Sequence, residues 1–338
     1  MIRGLLIAVC AWASFTQPGA ATENAEAFYR DRTLTLFVGH SPGGGYDAYA
    51  RAVGRHIGKH IPGEPDIVVK NMPGAGSVRL GNYLAEVAEA DGSVFATLSR
   101  DAAMAPLLSP EGIRFDAQQF GWLGSVTDAV STCIVAAQTG ITDWSTYRTE
   151  GIAVGATGYN ASSGRMALIL ENVFDADFEI VTGYPGSADY MLALDRGEID
   201  SVCMTWASIL VNRPDWVPSG AVNVIVQLGL RPAPDLPDVP TVLDLAETDE
   251  QRALLQVLLA PQQMGRPFMT PPGVPAERLE VLRSAFDATM ADPAFQADLE
   301  RAGMAFAPMT GAEVEALIAE VHAEPPATIE AAKAALRP

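Results

Sequence analysis

Apolar residues along this chain fall into short β-branched runs separated by stretches of helical spacing. Residues 34–38, 67–69 and 94–98 read as strands. Between the first two, residues 46–60 place Tyr49, Val53 and Ile57 four apart, which buries one face of a helix. Further strand-like runs fall at 133–136, 152–155, 179–182, 201–204 and 222–226. Strand and helix signals alternate from Thr33 to about Gly124, the order that a parallel sheet with crossover helices requires. The segment 231–240 carries Pro232, Pro234, Pro237 and Pro240, so it is neither helix nor inner strand and predicts an ordered connector. The class is α/β, and the length suggests two domains.

Two strand-to-helix junctions are rich in glycine. The first is His40-Ser41-Pro42-Gly43-Gly44-Gly45-Tyr46-Asp47, the second Asn71-Met72-Pro73-Gly74-Ala75-Gly76-Ser77. Free N–H groups and the positive dipole end make such helix starts an anion-binding edge. Glycine lets the anion approach the backbone. A third junction, Gly155-Ala156-Thr157-Gly158-Tyr159-Asn160-Ala161-Ser162-Ser163, and a fourth, Gly183-Tyr184-Pro185-Gly186-Ser187, repeat the arrangement later in the chain. Arg100 follows the strand at 94–97 and is expected on the same edge as the first two loops. Asp47 also suits a plain N-cap role. The ligand expected from these loops is small and negatively charged.

The N-terminus changes the picture. Arg3, the uncharged stretch 4–15 and Pro18-Gly19-Ala20-Ala21 have the layout of a secretory signal peptide cleaved near Ala21. The apolar run is shorter than the roughly 18 residues that a spanning helix needs. Removing residues 1–21 takes one arginine and no acid, leaving 21 basic against 41 acidic side chains, a net charge of −20. With no run of Lys or Arg, nucleic acid is not an expected partner. Cys133 and Cys203 both lie in strand-like runs, where a disulfide and two buried thiols are equally compatible with the sequence. His56 and His60 have the spacing of a metal pair but no third ligand motif nearby, and read as a solvated helix face.

The order of these motifs resembles the periplasmic receptors of tripartite tricarboxylate transporters, the TctC or Bug type. The matching stretches are Ser41-Pro42-Gly43-Gly44-Gly45-Tyr46-Asp47, Asn71-Met72-Pro73-Gly74-Ala75-Gly76, the loop from Gly155 to Ser163 and Tyr184-Pro185-Gly186. Arg196-Gly197-Glu198-Ile199-Asp200, Leu236-Pro237-Asp238-Val239-Pro240-Thr241 and Pro271-Pro272-Gly273-Val274-Pro275 follow in the same order. The resemblance implies a two-lobed type II binding protein with two mainly parallel sheets flanked by helices and two chain crossovers. Residues 30–133 and 259–322 then form the first lobe, 134–258 the second and 323–338 a C-terminal tail. It also implies a periplasmic monomer without cofactor or metal, which closes on a small organic carboxylate and hands it to the large and small membrane subunits of a permease. The ligand-binding set carried over is His40, Ser41, Pro42, Gly43, Gly44, Gly45, Tyr46, Asp47, Gly76, Ser77, Arg100, Thr157, Tyr159, Asn160, Ser162, Ser163, Tyr184, Pro185 and Gly186. His40-Ser41 and Asn160-Ala161-Ser162-Ser163 depart from the usual pattern, so the acid is left open. The competing reading is a secreted α/β enzyme acting on a small carboxylate or ester. Against it, the third glycine of a dinucleotide fingerprint falls on Arg79 and no G-x-S-x-G is present.

Overall fold

The computed structural model describes residues 25–338, and the signal peptide expected over residues 1–21 lies outside them. β1 (Thr33–Val38), β2 (Asp66–Asn71), β3 (Val94–Thr97) and β4 (Gly121–Ser125) belong to a first sheet. β5 (Ser131–Ala136), β6 (Ile152–Gly155), β7 (Phe178–Val181), β8 (Ser201–Thr205) and β9 (Val222–Leu228) make a second, in the order β7-β6-β8-β5-β9. β10 (Pro267–Thr270) and the two-residue β11 (Met309–Thr310) return to the first, whose order is β11-β4-β10-β3-β1-β2. β3, β4, β5, β8 and β10 are buried along their whole length, so none of them shows the apolar-polar alternation of a half-exposed strand. Gly121, Gly124 and Pro267 interrupt the β-branched signal of β4 and β10, and sequence reading passed over both strands.

Strand direction explains how the loops come to face one another. β1 is parallel to β2 and β3, and β6 is parallel to β7 and β8. In each sheet the strand that arrives from the other lobe, β10 in the first and β5 in the second, pairs antiparallel with its neighbours. A chain entering across the cleft starts at the edge where the parallel strands end, so it must run against them. The carboxyl ends of β1, β2, β3, β6, β7 and β8 therefore all look into the space between the lobes, where ligands of open α/β sheets bind. The crossing segments are bonded to each other. Val126 N–H donates to the Arg266 carbonyl at 3.1 Å, and Ala129 N–H to the Gln262 carbonyl at 2.7 Å.

Two expected boundaries are corrected. The first crossing lies between Ser125 and Ser131, so Ser131, Thr132 and Cys133 belong to the second sheet rather than ending the first lobe at 133. The C-terminal segment is not a tail. Pro326–Ala335 is a helix that packs on the helices Ser162–Phe174 and Asp249–Leu259, and Asn172 holds its end by donating to the Ala335 and Arg337 carbonyls. Its apolar face, Ile329, Ala332 and Ala335, joins a core shared with Leu98, Met104, Met166 and Leu258. Cys133 and Cys203, directly opposite across β5 and β8, form a disulfide. His56 and His60, half-buried rather than fully solvated, contact Asp298 and Asp292, with Nε2 at 3.2 and 3.4 Å.

Candidate functional site

The first glycine loop is held open by its own side chains. Gly43, at φ +86°, donates its N–H to Asp47 Oδ2 at 3.0 Å, and the same carboxylate accepts from Arg51 Nε and Asn71 Nδ2. Asp47 thus ties the first loop to the second. Burial alone would raise its pKa, but the bonds from Arg51, Gly43 and Asn71 outweigh burial and hold the carboxyl below the usual range. Ser77, fully buried, donates to the Gly39 carbonyl and accepts from Ser99 N–H, joining the loops after β1, β2 and β3. With their polar side chains committed to each other, these loops present backbone to the cleft. The helix Gly45–His56 begins there with no side-chain cap on its N-terminus, and the helices Ser162–Phe174 and Ser187–Asp195 do the same from the opposite lobe.

Between the lobes lie two chambers that share His40 and Thr157. The inner one, about 50 Å³, is lined by Ser41, Gly44, Gly45 and Tyr46 from the first lobe, Ala161, Ser162, Ser163, Ser187 and Tyr190 from the second, and two arginines. Roughly 10–15 Å³ holds one water, so this chamber fits a single small group. The outer one, about 310 Å³, is lined by Gly39, Gly74, Ala75, Gly76, Gly158, Thr182, Gly183, Tyr184 and Pro185.

The arginines define the inner chamber chemically. Arg100 is completely buried. Its N–H donates to Tyr46 Oη at 3.0 Å, and its guanidinium crosses the cleft to Thr205 Oγ1 at 3.1 Å and Ser131 Oγ at 2.8 Å. Arg266, equally buried, leaves the second crossing segment and lies over the Tyr46 ring at 4.4 Å. It donates to Ser208 Oγ at 3.0 Å and to the Gly265 carbonyl at 2.7 Å. Among the described residues, the Nε of each arginine and the Ser41 hydroxyl have no hydrogen-bond partner. Burial lowers the basicity of Arg266. His40, stacked on Tyr46 with ring centroids 4.3 Å apart, is pushed down to about 3 by burial and then by Arg266 and Arg100, and is therefore neutral. Two buried guanidiniums beside a neutral histidine and three uncapped helix starts make a site that attracts anions.

Of the residues expected from sequence, the chambers bring together His40, Ser41, Gly44, Gly45, Tyr46, Gly76, Arg100, Thr157, Ser162, Ser163, Tyr184 and Pro185. Gly186 meets Ser41 across the cleft, where an added Cβ would overlap the hydroxyl, and Asn160 lies against Gly76. Pro42, Gly43 and Tyr159 are exposed, while Asp47 and Ser77 hold the loops together behind the chamber wall. Sequence reading missed Arg266, Ser187, Tyr190, Thr205 and Ser208. Arg266 had a usable signal, because it is the single charged residue between Arg252 and Glu277.

Residues 50–333 match the family model TctC, described as the tripartite tricarboxylate transporter family receptor. Comparison with curated proteins gives no match. Among solved structures, the periplasmic binding protein BugD is 22% identical with a TM-score of 0.71, covering 91% of this chain and 98% of its own. MatC of Rhodopseudomonas palustris, solved with bound malate, is 20% identical with a TM-score of 0.69, covering 90% and 99%. Another R. palustris protein, solved with adipate, is 18% identical with a TM-score of 0.69, covering 90% and 97%. At these identities the likeness is one of fold.

Proposed function

Because the chain belongs to the tripartite tricarboxylate transporter family of receptors, we propose that it captures a small organic carboxylate between its lobes in the periplasm. It then delivers that acid unchanged, as a monomer, to the large and small membrane subunits of such a transporter. The observation that carries this reading is the pair of buried guanidiniums in an interlobe chamber faced by uncapped helix starts. An acidic protein binds an anion here because the local field dominates. Surface carboxylates more than about 8 Å away are screened by salt, whereas charges inside the cleft are not. The malate and adipate held by two proteins of the same fold support the ligand class.

The enzyme reading has one structural foothold, the contact of 3.2 Å between Ser77 Oγ and His40 Nε2. It lacks chemical force. A histidine whose basicity falls to about 3 is a poor general base near neutral pH, and the Ser77 hydroxyl already donates to the Gly39 carbonyl. A thermal-shift panel of mono-, di- and tricarboxylates, each beside its neutral amide, tests the proposal. At least one acid should raise the melting temperature, its amide should not, and the acid should be recovered intact. Consumption of the acid, or equal stabilisation by the amide, contradicts it.

A further inference from the structure

The buried charges do not balance for a ligand carrying one negative charge in the inner chamber. Among the described residues, the buried charged side chains are Asp47, Arg100, Asp101, Arg165 and Arg266. Asp47 is matched by Arg51 at 2.9 Å. The other four set three guanidiniums against one carboxylate. Asp101 is shared, its Oδ2 lying 3.9 Å from Arg100 Nε while its charge also offsets the burial of Arg165. It is further occupied by the Ser162 hydroxyl, which donates to it across the cleft. Arg165 does not line the inner chamber, and the two guanidiniums that do, Arg100 and Arg266, have only a share of the Asp101 charge between them, an arrangement that is costly unless an anion completes it.

Donor geometry points the same way. Beside the unpartnered Nε atoms of Arg100 and Arg266 and the Ser41 hydroxyl, Ser208 and Thr205 accept from these arginines and keep their own protons free to donate. A chamber of about 50 Å³ takes one small head group. A carboxylate offers two oxygens and one charge. A phosphate monoester offers three oxygens and about 1.5 to 2 charges at neutral pH, and a phosphonate, the weaker acid at its second step, gains its second charge at about pH 8.

We propose that the inner chamber is built for a doubly charged phosphoryl head group, with the carboxylate of the same molecule lying in the outer chamber against the Gly74–Gly76 loop. The inference rests on the carboxylate reading above and narrows it to phosphono- or phospho-carboxylates. Arg100 and Arg266 become the residues that set specificity at the far end of the ligand.

Three acids of matched length separate charge from shape: 3-phosphonopropionate, 3-sulfopropionate and succinate. Titration calorimetry on the mature protein at about pH 8 should rank the phosphonate at least about tenfold tighter than either of the others, the usual gain from one further charge-assisted contact. Lowering the pH to about 5.5 protonates the phosphonate and should remove that advantage while the sulfonate affinity stays level. Arg266→Gln and Arg100→Gln should each bring the phosphonate within about threefold of the sulfonate. Because the pH comparison uses the unaltered protein, a variant that fails to fold leaves the test standing. Succinate binding as tightly as the phosphonate at pH 8, or a phosphonate affinity indifferent to pH, overturns the inference while leaving the carboxylate receptor intact. Binding of none of the three, with no other acid in the panel stabilising the protein, overturns both.

Discussion

Arg100 and Arg266 reach the same chamber from unlike stretches of sequence. Arg100 was legible because it lies three residues past the end of a recognisable strand, and strand ends in a parallel sheet share one edge. Arg266 sits between Gly265 and Pro267 at the start of a strand that glycine and proline disguise, and nothing local says that the chain there re-enters the first lobe. Asp47 was open to two readings, ligand contact and a plain N-cap. Its place beside three glycines suggested ligand contact, whereas its carboxylate is spent on Gly43, Arg51 and Asn71. His40 yields a prediction at this scale. In the folded cleft it stays neutral down to about pH 3, while in the unfolded chain it takes a proton near pH 6.5. Between those values the unfolded state holds more protons, so this contribution to stability is whole above about pH 6.5 and is lost as pH falls towards 3. Urea unfolding between about pH 4 and 6 should therefore show a slope shallower by up to about 1.4 kcal/mol per pH unit in His40→Gln than in the wild type. Equal slopes would mean that His40 protonates in the folded cleft.

At the scale of elements, the four loops were readable because glycine and proline punctuate strand-to-helix junctions so strongly. Their mutual contacts were not, since these depend on how two separately folded sheets meet. Gly76 illustrates the difference. Its φ of +60° suits glycine, but the sharper constraint is that an added Cβ would sit 2.7 Å from Ala161 N on the opposite lobe. Gly76→Ala should thus cost the unliganded protein only the roughly 1–2 kcal/mol of a left-handed backbone conformation. Ligand affinity, by contrast, should fall at least about tenfold because the lobes no longer close fully. Chemical unfolding and calorimetry on the same sample separate the two effects. An affinity unchanged from wild type would show that the second and third loops do not meet around the ligand. The disulfide between β5 and β8 belongs to this scale as well. Sequence left it open, and register decides it, because Cys133 stands directly opposite Cys203, two residues along from Ser131 opposite Thr205. The bridge thereby fixes the two hydroxyls that receive Arg100.

At the scale of the whole molecule, the two crossing segments, zipped together by backbone bonds, leave each lobe a separate sheet whose strand ends face the other. The C-terminal helix adds a clasp that the sequence did not reveal, since an amphipathic helix of ten residues says which face is apolar but not which lobe it covers. Polar contacts across the cleft run from Arg100 to Thr205 and Ser131, from Arg266 to Ser208 and from Ser162 to Asp101. They surround the chamber, so a bound anion and the closed form support each other. The central claim is that this interlobe space exists to hold one small organic acid and release it unaltered. Native mass spectrometry of the mature protein, purified under mild conditions from the periplasm, tests it most directly. The account predicts one bound molecule per chain, released on denaturation as an intact organic acid with more than one negative charge. A neutral or cationic occupant, or an acid converted while bound, would contradict it.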